Sequence, residues 1–197
     1  MQGILKVEAP QQKKKPGKTT TQTISEGVFF ETAPNLKSFH KLIPSASKAT
    51  VTSNPKTNNE PLSILTDGRL SKGFGSIFPN GTTDGAYKMD LAKSQKVTAI
   101  TSWSHSQGAR RGTQSITLFG SNHPTDPGWD TNDSSRFAPL GTMSSKDLKL
   151  ATFSALSRQA PAGESLGTFR WIIWKVSPIS NKKENTAFQE LAVEVAP

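Results

Sequence analysis

The sequence predicts an all-β fold, an antiparallel sandwich or barrel carrying an N-terminal extension. Three observations predict it. Past residue 49 the chain breaks into strand-length runs rich in β-branched and aromatic residues. Those runs are bounded by Asp67-Gly68, Asn80-Gly81, Asp84-Gly85, Gly120-Ser-Asn122 and Pro178, the chemistry that turns require. Residues 145–156 are the one stretch that could hold three helical turns, so a helical architecture has nothing to build from.

Taken in order, residues 11–23 are Gln, Lys, Thr, Pro and Gly, too polar to offset their own ordering entropy. Glu26-Gly-Val-Phe-Phe-Glu-Thr32 reads as a short strand. Leu36, Phe39, Leu42 and Ile43 then follow at helical spacing. Residues 24–48 read either as an ordered strap on the main domain or as a segment that docks a partner. The chain divides accordingly into a basic tail and strap, 1–48, and a sandwich, 49–197.

Within the sandwich the strand runs are 86–91, 97–103, 114–119, 137–140, 169–176 and 188–195. In 169–176, Phe169, Trp171 and Ile173 share one face, the expected sandwich core. Arg170, Ile172 and Trp174 share the other, which calls for a cover, and the strap is the candidate. The alternation in 97–103 reads as a half-buried strand. No internal repeat is apparent.

Composition excludes several classes. The 197 residues contain no cysteine, so neither a disulfide scaffold nor a cysteine-ligated metal site can form. No run of 18 apolar residues occurs, and the first ten residues lack the apolar core of a secretory signal. The net charge of +9 is uneven. Residues 1–48 hold eight lysines against three acids, and 49–197 hold sixteen basic against twelve acidic side chains. The excess therefore belongs largely to Lys13, Lys14, Lys15 and Lys18, a solvated tail or a polyanion anchor.

Four pieces, in order, resemble the galactose-binding-like β-sandwich superfamily: discoidin or coagulation factor 5/8 C-type domains and the related family 32-type carbohydrate-binding modules. They are Leu65-Thr-Asp-Gly68 with its Gly-rich loop; Ala86-Tyr-Lys-Met-Asp-Leu91 with Val97-Thr-Ala-Ile-Thr-Ser-Trp103; Arg111-Gly-Thr-Gln-Ser-Ile-Thr-Leu-Phe-Gly-Ser121; and Phe169-Arg-Trp-Ile-Ile-Trp174 with Glu184-Asn-Thr-Ala-Phe-Gln-Glu-Leu-Ala-Val193. The resemblance spans residues 49–197 and implies an antiparallel jelly-roll β-sandwich. It implies a structural calcium between Asp67 in the loop and Glu190 in the last strand, with a hydroxyl or carbonyl near Thr82. Hard cations take carboxylate and turn-carbonyl oxygens, which is what such a loop supplies. The alternative is that Asp67 caps a turn while Glu190 pairs with a lysine.

The resemblance also implies ligand binding on loops at one end of the sandwich. There Trp103-Ser-His-Ser-Gln-Gly-Ala-Arg-Arg-Gly112 brings an imidazole, an amide and two guanidinium groups together. Planar donors of this kind match vicinal sugar hydroxyls. The candidate ligand residues are His105, Gln107, Arg110, Arg111, Trp129 and Asn185. Trp129 reads either as a stacking platform or as its loop's hydrophobic anchor. Asn185 stands where many sugar-binding relatives carry an aromatic, which separates this chain from a galactose-specific pattern.

These readings point to a non-catalytic, glycan-binding module of an exported or cell-surface protein, appended in some settings to a catalytic domain. The competing reading is an assembly module that contacts protein partners through its extension. The histidines, His40, His105 and His123, form no Ser-His-Asp or H-E-x-x-H pattern, so an enzyme is not expected. Specific nucleic-acid binding is not expected either, because Arg170 and Lys175 alone interleave with the aromatic strand.

Overall fold

The computed structural model describes residues 20–33, 49–70, 73–107, 111–177 and 185–197. The Lys13–Lys18 tail, the 36–43 segment and Arg110 lie outside the described residues.

The described chain is all-β and antiparallel. Its strands are β1 (Thr20–Ser25), β2 (Val28–Ala33), β3 (Thr50–Asn54), β4 (Asn58–Asn59), β5 (Ser76–Ile77), β6 (Gly85–His105), β7 (Ser115–Ser121), β8 (Ala138–Ser144), β9 (Phe153–Gln159), β10 (Gly167–Val176) and β11 (Phe188–Val195). The hydrogen-bonded path runs β1-β2-β9-β6-β10-β7-β8.

One strand makes this path a sandwich. The first half of β6 pairs with β3 and β10, and its second half pairs with β9 and β11. Between the halves Asp90 pairs with Trp171 and Gln95 with Phe169, so four residues of β6 oppose Arg170 alone. This wide bulge turns the strand from one layer into the other, and Ala92 takes φ +66° to make the corner. Arg170 pins it with a bidentate pair to Asp90, both bonds 2.9 Å. The layers face each other through Tyr87, whose ring lies 5.4 Å from that of Phe188, and through Met89, Ile172, Trp174, Ile100, Leu156 and Leu191.

The faces of β10 are the reverse of the sequence expectation. Ile172 and Trp174 are in the core, while Trp171 and Ile173 look outward. Among the described residues their cover is the 122–137 loop and not residues 20–33. Trp171 donates its indole N–H to His123 O at 2.9 Å. Residues 20–33 instead extend the second layer as a hairpin, with β2 paired to β9 and Val28 and Phe30 in the core. Phe30, part of the motive for a docking segment, is thus spent inside the fold. The helix allowed over 145–156 is also absent: a turn around Asp147 (φ +65°) leads into β9, where Leu156 faces the core and Phe153 and Ala155 face outward. Sheet pairing on both sides overrides the local periodicity.

Candidate functional site

Because β6 folds back at its bulge, its two ends, Gly85 and His105, come to the same end of the sandwich. The loop leaving His105 closes tightly. Arg111 N–H donates to Ser106 O at 2.8 Å, and Ser104 Oγ donates to Gly112 O at 2.9 Å. Gly112, at φ +94°, passes so close that a Cβ would sit 2.9 Å from Ser106 Cα. Beneath the loop, buried Gln114 donates to Ser104 Oγ at 3.1 Å and accepts from Ser102 Oγ. Its amide is what holds the loop's two stems together.

On this base Arg111 is fixed at three points. Its Nε donates to Gln107 Oε1 at 2.9 Å, and its Nη1 donates to Asn185 O at 3.2 Å. Its guanidinium carbon lies 5.2 Å from the centroid of the Phe74 ring. Phe74 is 37% exposed, one of three large apolar side chains so placed among the described residues. Sequence reasoning passed over Phe74, although an aromatic held between Gly73 and Gly75 was the available signal.

The other ligand candidates sit differently. Asn185 is 1% exposed, and its amide donates to Phe78 O at 2.8 Å and Pro79 O at 2.9 Å, so it ties two loops together from below the surface. His105 is half-buried, 5.2 Å from Phe153 ring to ring. Burial pushes its imidazole below the ordinary histidine pKa, which favours the neutral form. Trp129 caps the outer face of the first layer. Lys88, only 2% exposed, places its Nζ 4.1 Å from the Trp129 ring and 5.9 Å from Trp171, and bonds to Asp126 and Gly128 O. The remaining surface of Trp129 lines a separate shallow cleft with Asp84, Thr131 and Lys175. Gln107 and Arg111 are therefore brought together, whereas Trp129 belongs to the Lys88 cluster and its neighbouring cleft.

Glu190 and Asp67 do converge. Glu190 is 2% exposed and accepts from Gly68 N–H at 3.3 Å through Oε1, while Oε2 is buried without a partner. Burial, with the Asp67 charge adding to it, pushes the Glu190 carboxyl up to about 8. Asp67 accepts from Arg69 N–H at 2.8 Å. Thr82 sits in a turn, its N–H donating to Pro79 O at 3.1 Å. No group of three or more His, Cys, Asp or Glu able to hold a metal occurs among the described residues. Any cation here would rest on two carboxylates plus backbone or water oxygens.

The all-β sandwich is similar in fold to several solved domains, lectin and glycosidase-associated ones among them. The C-terminal domain of a Bacteroides fragilis chitobiase matches with a TM-score of 0.53 at 14% identity, covering 78% of this chain and 97% of that one. The lectin domain of lectinolysin, solved with Lewis b, matches at 0.51 and 12% identity, over 77% and 95%. XRCC1, solved bound to the DNA polymerase β catalytic domain, matches at 0.54 and 9% identity, over 74% and 94%. No family model matches the sequence, and no curated protein matches it in sequence.

Proposed function

We propose that the chain is a glycan-binding module without catalytic activity, and that Phe74, Gln107 and Arg111 form its binding surface. The observation that carries the reading is the exposed Phe74 ring held beside a guanidinium that is already immobilised. An aromatic face receives the C–H side of a pyranose, and a fixed planar donor meets its vicinal hydroxyls without a further entropy cost. An extracellular or cell-surface setting, where structural polysaccharides are met, is part of the same reading. The glycan-binding neighbours support the class, and the Phe74 surface supports the position.

A calcium ion between Asp67 and Glu190 is part of the same proposal. The buried, unpartnered Oε2 of Glu190 beside a second carboxylate is a donor set suited to a hard cation, completed by loop carbonyls. Its role would be to hold the 67–75 loop, and so Phe74, in place.

Affinity electrophoresis against a panel of neutral polysaccharides tests the surface. Retardation by at least one polymer, lost in Phe74→Ala at unchanged thermal stability, is expected. Equal retardation of wild type and variant would remove Phe74 from the site, and no retardation across the panel would remove the glycan reading.

A further inference from the structure

At the opposite end of the sandwich, beside the β6 bulge, a cleft of about 1010 Å³ opens between the edge of one layer and the N-terminal hairpin of the other. Its walls are β8 at Leu140, the 160–166 connection at Pro161, Ser165 and Leu166, and the hairpin turn at Glu26. Arg158, on β9 opposite Val28, lines it. The Arg158 Nη1 donates to Glu26 O at 2.6 Å, which fixes the guanidinium. Its Nε is buried with no partner. Among the described residues no carboxylate lies within ion-pair distance of Arg158. Gly141, at φ +105°, lies beside the guanidinium: a Cβ there would be in ordinary van der Waals contact, 3.8 Å from Nε.

We infer that this cleft is a second binding site, for an acidic sugar residue whose carboxylate meets Arg158. A half-buried guanidinium held in place and lacking a counter-charge is a preorganised anion receptor. The apolar walls suit the C–H faces of a pyranose, and Ser165 and Glu26 offer polar atoms to its hydroxyls. The volume matches ordinary ligand clefts, which run to roughly 1,000 Å³. The net charge of +9 would draw an acidic polymer toward the protein. The saccharide part of this inference rests on the proposed glycan function; the anionic part rests on Arg158 alone.

The test is an amide proton–nitrogen correlation spectrum of the full chain, titrated with a galacturonate trisaccharide and, separately, with a neutral galactose trisaccharide, in about 0.15 M salt to screen the lysine tail. Saturable shifts from the acidic probe at residues 26–29, 139–141 and 158–166 are expected. Affinity should fall about tenfold or more in Arg158→Gln. Because Arg158 also anchors the hairpin, Glu26→Gln provides a second arm. It leaves the Glu26 carbonyl intact, removes a like charge, and should tighten binding about threefold. Acidic-probe shifts confined to residues 73–75 and 105–112, shifts unaffected by both substitutions, or no shifts with the acidic probe would each overturn the second site. Neutral-probe shifts at 73–75 would meanwhile keep the proposed function standing, and silence with the acidic probe would remove the second site while the polysaccharide panel decides the first.

Discussion

Glu190 and Trp103 stand opposite one another in the β11–β6 register, and each buries a polar atom, Oε2 and Nε1, with no hydrogen-bond partner. The pair places two unsatisfied polar atoms side by side on the outer face of the second layer, each costly to dehydrate. Leu70, from the loop that follows Asp67, packs against the Trp103 cluster, so the same loop covers both. A metal-free chain meets that cost by keeping Glu190 protonated.

The pH dependence follows from the sign of that shift. The Glu190 carboxyl titrates near 8 when folded and near 4.5 when unfolded, so the folded state holds a proton that the unfolded state releases between those values. Stability present at pH 4.5 is lost as pH rises to 8, by up to about 5 kcal/mol. Urea unfolding in a chelator at pH 5 and pH 8 should show the drop, and Glu190→Gln should flatten it. Millimolar calcium at pH 8 should then raise the melting temperature of the wild type and not of the variant. Equal calcium responses would separate Glu190 from any metal.

Lys88 is a buried cation whose neutralisation is lopsided: Asp126, its partner, is largely exposed. Removing the acid leaves the ammonium under Trp129 and Trp171 with Gly128 O as its remaining bond. Asp126→Ala should cost about 1–2 kcal/mol, less than a fully buried pair because solvent screens the carboxylate. Lys88→Met, which fills the same space without a charge, should cost less than Asp126→Ala. Chemical denaturation of the two variants checks the order, and the reverse order would make the ion pair, not packing, the source of stability.

Gly120 shows where a small side chain is required by packing alone. A Cβ at this position would stand 2.5 Å from Phe169 Cδ1. Gly120→Ala should destabilise by about 1–3 kcal/mol through overpacking. Phe169→Leu in the same chain should return part of that loss, a coupling that a double-mutant cycle reads directly. Additive losses would place the strain elsewhere.

Much of the sheet was legible because its strands alternate and end in turn residues. Gly85, Ser115 and Phe188 open β6, β7 and β11 close to where turn chemistry and β-branching put them. The faces of β10 were not legible, since Trp171, Ile172, Ile173 and Trp174 are apolar on both sides and period two cannot rank two apolar faces. What decides is the bulge in β6 and a cover supplied by Trp129 and His123, both distant in sequence. At the loop end, residue type singled out Gln107 and Arg111, and the structure pairs them through Arg111 Nε. Asn185 has the right chemistry for a sugar and spends it on the Phe78 and Pro79 carbonyls. Residue type announces hydrogen-bonding capacity, and only packing shows whether it has been used.

Arg111 provides the sharpest division between building the loop and meeting a ligand. Its bonds to Gln107 and to the Asn185 carbonyl are both structural, so Arg111→Ala should loosen the 105–112 loop and weaken binding together. Arg111→Lys keeps the charge and loses the planar fork, leaving one donor group where the guanidinium offers several directions. If the fork itself meets sugar hydroxyls, the lysine variant should bind about tenfold more weakly while the 105–112 amides keep most of their protection from hydrogen exchange. Phe74→Ala should show a comparable loss of binding with no change in that protection, because the ring contributes no hydrogen bond to the loop. Were Arg111→Lys to bind as tightly as the wild type, the guanidinium would be a brace for the loop, and Phe74 would carry recognition without it.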